Sequence, residues 1–172
     1  MTSLQDFSHR RAEHLQMMLL ELCRALGLTT VSEAHLSLFA KYHDISKVAV
    51  SDEILFKPGP LNNEEKEELY RHYETGYRIA QAATGLAPIV DLILKHHEWW
   101  NGKEYPLGLK GEEIPAECRI LAIADAYEAM TNYRPYGREL SSAETLKELR
   151  KLAGIRFDPV ITEVFCNMHD DL

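Results

Sequence analysis

Apolar residues along this chain recur at helical steps almost everywhere. Leu15, Leu19, Leu22 and Leu26 fall three and four residues apart and end at Gly27, a residue suited to a helix C-terminus, so a long first helix is predicted. Thr30 and Glu33 have capping-box spacing ahead of a second helix whose stripe is Leu36, Phe39, Ala40 and His43. Asn62 or Asn63 is placed to cap a third, which carries Leu69, His72, Tyr73, Gly76, Ile79, Ala80 and Ala83 on one face. Helices also fit residues 87–98 and 116–131. Ser141 with Glu144, and Asp158 before Pro159, mark two later starts, with Gly154 as a stop between them. Strand-like alternation is almost absent, which predicts an all-α fold of about seven to nine helices. The long irregular stretch is Trp99 to Pro115, and a loop of that length in a folded domain is often functional.

At 172 residues, with no repeat or interdomain linker, the chain is expected to form a single domain over 1–172. Its 19 Lys+Arg stand against 27 Asp+Glu, a formal charge of −8. That balance argues against a basic face for a nucleic-acid polymer or an anionic membrane, so any phosphate ligand must find local positive charge. No apolar run approaches the roughly 18 residues of a membrane span, and the N-terminus lacks a secretory pattern, so a cytoplasmic protein is expected. Cys23, Cys118 and Cys166 are distant and odd in number, which predicts buried thiols rather than disulfides or a zinc knuckle.

Several polar residues stand where the pattern demands apolar ones. Asp125 shares the stripe of Cys118, Leu121, Ala122 and Ala129, and a carboxylate buried there must be paired, protonated or metal-bound. His96 continues the Ile89, Leu92 and Ile93 face, His97 the Val90, Ile93 and Leu94 face, while His43 and His72 sit on the apolar lines of their own helices. Taken singly, each is most simply a hydrogen-bonded core histidine. Together, four inward histidines and two carboxylates from separate helices need a common partner, and mixed imidazole and carboxylate ligation suits Fe, Mn or Zn. Asp44 directly follows His43, so the pair suits two adjacent metals with one carboxylate oxygen for each. Lys47, one turn on, is expected to face the same site. His9, His14, His35 and His169 lack such support and are expected at the surface.

In that order His43-Asp44, His72, His96-His97 and Asp125 resemble the HD-GYP branch of the HD-domain metal-dependent phosphohydrolases. HDISKVAVSDEILFKPGPL, HHEWWNGKEYPLGLKGEEIP, RILAIADAYEAMTNYRPY and the late FDP carry the resemblance, which spans roughly residues 8–168. It implies an HD-type helical bundle that binds divalent metals, commonly iron or manganese, and hydrolyses cyclic di-GMP through pGpG to GMP by a metal-activated hydroxide. By position, one ion would take His43, Asp44 and Asp125, and a second His72, His96, His97 and the bridging Asp44. The resemblance also implies that Lys47 contacts the substrate phosphate and helps protonate the departing ribose oxygen, that Arg134 grips a phosphate through its fork, and that Tyr105 contacts substrate. Signalling proteins such as a GGDEF-type cyclase are implied as partners.

The chain also departs from the family. Gly-Tyr-Pro reads Glu104-Tyr105-Pro106, preceded by Asn101-Gly102-Lys103, so a side chain and a negative charge stand where backbone could approach substrate. HDIGK reads HDISK, with Ser46 in place of glycine. The glutamate and histidine that supply a third metal in some members fall near Phe7 and Arg11 here, so two metals are expected. No receiver or sensor domain is expected within these 172 residues, which suits either a stand-alone enzyme or an excised domain. Two other readings stay open: an HD phosphohydrolase acting on another cyclic dinucleotide or nucleotide, and a module that binds cyclic di-GMP without cleaving it.

Overall fold

The computed structural model describes residues 4–29, 31–45, 47, 50–55, 57, 59, 62–104, 106–132 and 139–170. Helix α1 (Leu4–Ala25) leads into α2 (Glu33–Tyr42), a single turn α3 (Asp52–Leu55) and the long α4 (Asn63–Ala82). A 3-10 stretch, Thr84–Ile89, passes into the short α5 (Val90–Lys95); α6 (Ala116–Thr131), α7 (Ser142–Leu152) and α8 (Pro159–His169) complete the bundle. Among the described residues there is no β-strand, only the isolated bridges Asn101↔Lys110 and Ala153↔Phe157. The fold is all-α, and no described helix is long and apolar enough to cross a membrane.

Helix α6 is apolar on nearly every side because neighbours cover every side: α1, α5, α7 and α8 all touch it. Ile120, Leu121, Ile123 and Ala124 of α6 meet Leu19 and Leu22 of α1, Leu36 and Phe39 of α2, Ile93 of α5, Leu149 of α7 and Phe165 of α8 in one core. Each such aliphatic or aromatic side chain contributes about 1.5–3 kcal/mol when fully buried. Cys23, Cys118 and Cys166 are free and buried.

Local signals set most helix starts. Asn62 accepts from the Glu65 amide while Glu65 reaches back to the Asn62 amide, and Ser141 with Glu144 repeats the arrangement. Asp158 accepts from the Val160 and Ile161 amides at the head of α8, with Pro159 in the first turn. Gly154, at φ +77°, ends the excursion of α7.

Two boundaries differ from expectation. The cap of α2 is Ser32, not Thr30, which lies outside the described residues, and Glu33 pairs with Arg24 at 2.8 Å instead of closing a capping box. The helix expected over 87–98 begins as 3-10 turns around Pro88, whose ring cannot sit inside an α-helix, and its α-helical part stops at Lys95.

Candidate metal centre

Helix ends, rather than helix middles, present most of the candidate ligands. His43 is the C-cap of α2, and its amide still bonds the Phe39 carbonyl at 2.8 Å, which fixes the backbone from which the ring projects. Its Nδ1 lies 2.9 Å from the Ala40 carbonyl, and because a carbonyl only accepts, Nδ1 carries the proton. His96 repeats the device at the C-cap of α5, with Nδ1 2.8 Å from the Ile93 carbonyl. In both rings this leaves Nε2 as the metal-ligating position, with the ring's orientation fixed by the backbone carbonyl at Nδ1. The Nε2 of His43 is buried without a hydrogen-bond partner.

These rings converge. The His43 and His96 centroids are 5.7 Å apart, those of His96 and His97 3.8 Å, and Phe39 meets His96 edge-on. One ligand atom each from Asp44, His96 and His97 lies within 4.8 Å of the others. His43 Nε2 stands 3.3 Å from Asp44 Oδ2 and 3.9 Å from Asp125 Oδ1. Lys47, whose amide bonds the Asp44 carbonyl, places its ammonium 2.6 Å from Asp44 Oδ2. A cavity of about 50 Å³ opens at this point, lined by His43, His96, His97, Glu98, Trp99, Asp125 and Arg156 among others. Imidazoles that present a buried Nε2 to the same point, beside two carboxylates, are the donor set that suits a divalent transition metal once the rings are deprotonated there. The residues present therefore fit divalent metal binding.

Charge in the cavity is strongly coupled. Burial opposes protonation of His43, but the adjacent Asp44 carboxylate, aided by Asp125, outweighs it and raises the His43 pKa above its ordinary value. Burial likewise opposes ionisation of Asp44, yet His43 and Lys47 hold its carboxyl well below the usual carboxylate range.

The structure places some expected residues differently and leaves others out. Asp125 is not sealed in the core: its side chain is 37 % exposed, because the small Ala122 beside it lets it open onto the cavity. His97 is half-buried rather than fully inside. His14 and His35 are exposed as expected, whereas His169 is half-buried, stacked on Phe165 with centroids 4.3 Å apart. His72 lies on α4, but its side chain, like those of Phe7, His9 and Arg11, falls outside the described residues, as do Ser46, Tyr105 and Arg134 entirely. Two buried acids escaped the reading of the sequence. Glu98 and Glu128 are each 3 % exposed. Glu128 caps its own helix end through Asn132, whose amide donates to its carboxylate at 3.2 Å. Glu98 accepts from the Leu107 and Leu109 amides at 2.6 and 3.0 Å, and burial, only partly offset by these amides, pushes its carboxyl up. Nothing in the local pattern marks Glu98, since its partners lie in the backbone of the loop.

A family model described as HD domain matches residues 2–161. A cyclic di-GMP phosphodiesterase of Thermotoga maritima is 34% identical over 169 residues, covering 96% of this chain and 45% of that protein. A 3'3'-cGAMP-specific phosphodiesterase of Vibrio cholerae is 33% identical over 145 residues, 84% of this chain and 34% of that protein. The chain thus spans less than half the length of either relative. In three dimensions, an HDG"Y"P protein from Bdellovibrio bacteriovorus superposes with a TM-score of 0.69 at 16% identity, over 92% of this chain and 51% of that one, which is a likeness of fold.

Proposed function

The chain belongs to the HD-domain family, within its HD-GYP branch, and from that premise we propose that it is a binuclear metal-dependent phosphodiesterase acting on cyclic di-GMP. The observation that carries this reading is the convergence of Asp44, His96 and His97 within 4.8 Å, with the buried Nε2 of His43 3.3 Å from Asp44. His43, Asp44 and Asp125 would hold one ion, and His72, His96, His97 with the shared Asp44 the other, iron or manganese in each case. When bound, the ions supply Lewis acidity and lower the pKa of water toward neutrality.

The chain's own residues do the rest. Water adds across one P–O bond of the substrate: the bond to the ribose oxygen breaks, that oxygen takes up a proton, and the ring opens to linear pGpG, which a second hydrolysis converts to GMP. Lys47, whose ammonium pairs with Asp44 at 2.6 Å, would bind a phosphate oxygen and give the departing ribose oxygen its proton. Asp44 holds that ammonium beside His43 and would offer its second oxygen to a metal. Arg134 and Tyr105 are assigned to the second phosphate and a base.

A second reading changes the substrate and not the chemistry. Burial first and then the half-buried Glu104 push the Glu98 carboxyl up, so the loop beside the cavity carries a negative charge, which favours a different pair of bases, as in cyclic GMP-AMP. Manganese- or iron-loaded protein incubated with cyclic di-GMP and, separately, 3'3'-cGAMP, with products resolved by chromatography, decides between them. Linear product above an Asp44→Ala control from cyclic di-GMP is expected. Product from cGAMP alone selects the second reading, and tight binding without turnover by metal-replete protein rejects both.

A further inference from the structure

Glu98 is a buried carboxylate beside the metal cavity that the proposed ligand set does not use. It follows His97 directly and lines the cavity with His43, His97 and Asp125. A third acid in a site already holding Asp44 and Asp125 is costly unless its oxygens are satisfied. Both are, and by one stretch of backbone: Oε1 accepts from the Leu107 amide at 2.6 Å, Oε2 from the Leu109 amide at 3.0 Å.

Burial holds that stretch at one end, where Leu109 packs partly buried against the core. Leu107 is 52% exposed, and Gly108 is exposed as well. Its near end is fixed elsewhere, since Trp100 and Asn101 donate to the carbonyls of Arg156 and Ile155 at 3.1 and 3.0 Å. Its far end closes where Gly111 donates to the Trp100 carbonyl at 2.9 Å. Between these ties Leu109 packs, partly buried, against the core, and the Glu98 carboxylate grips the backbone on either side of Gly108.

We propose that Glu98 is a positioning residue that fixes the Leu107–Leu109 segment along the rim of the metal cavity, so that this segment contacts the body of a cyclic dinucleotide while the metal ligands act on its phosphodiester. The proposal rests on the phosphodiesterase reading and adds a division of labour to it. Amide donors commit the carboxylate to the path of the chain rather than to any side chain, which is what a binding rim requires.

The test compares two substrates on manganese-loaded protein. Bis(p-nitrophenyl) phosphate needs the metal ligands alone, whereas cyclic di-GMP also needs the rim. In Glu98→Gln the side-chain amide retains one acceptor and turns a donor against the other backbone amide. The ratio of kcat/KM for cyclic di-GMP to that for bis(p-nitrophenyl) phosphate is expected to fall about tenfold, mainly through KM, the equivalent of one lost hydrogen bond to a charged group. Metal content per chain stays at the wild-type level, and the Leu109 amide exchanges faster with deuterium. Leu107→Pro removes one of the two donors from the loop side and is expected to shift the ratio the same way. An unchanged ratio with a still-protected Leu109 amide overturns the proposal. So does a parallel fall of both activities, or failure of both variants to fold, since either assigns Glu98 to stability. If the wild type cleaves only the small diester, the cyclic di-GMP reading falls, and faster Leu109 exchange in Glu98→Gln still decides whether the carboxylate anchors the rim.

Discussion

His43 and His96 end helices sealed in the core along the same faces by Leu36, Phe39 and Ile93, and Asp125 projects from the middle of α6, which has α1, α5, α7 and α8 as neighbours. The segment from Trp99 to Pro115 borders the same cavity; among its described residues the single 3-10 turn Gly111–Glu113 is the one helical stretch, and amide ties and one carboxylate do most to shape it. The first wall takes its geometry mainly from packing, and the second mainly from hydrogen bonds with Leu109 and Ile114 as its apolar footing. Ligand atoms for a metal must be held to within tenths of an ångström, which a packed core does. A rim that admits a large substrate tolerates a softer frame. Lesions in the two walls should therefore separate: one removes metal and chemistry together, the other alters recognition with the metal retained.

The largest effect is expected in the first wall. Asp44→Ala deletes the carboxylate that pairs with Lys47 and that the proposed site shares between its ions, so it should cost more than the roughly 10- to 100-fold typical of groups that only support a ligand. Turnover of bis(p-nitrophenyl) phosphate and elemental analysis of the same preparation check this, and full activity with full metal content would break the comparison at its root. Next comes the footing of the second wall. Asp158, 4% exposed, bonds Arg119 at 2.7 Å and caps α8, two residues beyond the carbonyl that receives Trp100. Asp158→Ala strands a partly buried guanidinium and should cost about 3–5 kcal/mol of unfolding free energy in denaturant titration, with metal binding retained in the folded fraction.

A smaller lesion isolates the rim itself. Gly102 has φ +72°, and a Cβ there would stand 3.2 Å from both the Gly108 carbonyl oxygen and the Lys110 Cβ. Gly102→Ala therefore strains the loop by about 1–2 kcal/mol. Cyclic di-GMP turnover should weaken while that of the small diester holds. Equal losses on both substrates would mean that the two walls are one mechanical unit.

How much of this was readable in advance follows the same division. Caps such as Asn62, Ser141 and Asp158 are local bargains between a side chain and amides two or three residues on, so spacing reveals them. The stripe of α6 is local too, and its bounds agree with the expected 116–131. Ser32 was missed because neighbouring hydroxyls are equivalent candidates and the partner of Glu33 is Arg24, on another helix. Asp125 was expected to be buried because periodicity gives the direction of a side chain but not whether a cavity lies there. Glu98 left no trace: an acid just past a helix end looks solvated, and its partners are amides nine and eleven residues away that any sequence would supply.

Acidity offers the gentlest way to probe the first wall, because it changes one proton and no atom of the frame. Without metal, the pair of charged His43 and ionised Asp44 stabilises the fold, and the two groups bound its range. His43 has a raised pKa, so its contribution is complete below the ordinary histidine value and is lost as pH climbs through the raised one. Asp44 has a depressed pKa, so its contribution is complete above the ordinary carboxylate value and is lost as pH falls through the depressed one. A metal ion needs the Nε2 lone pair of His43 and must displace that proton. Below the raised His43 value, then, affinity should fall about tenfold for each unit of pH, with close to one proton released per chain on account of His43. Calorimetric titration with manganese in buffers of different ionisation enthalpy counts those protons. Affinity independent of pH across that range would mean that His43 already sits neutral beside Asp44, and that the wall is set for metal by packing alone.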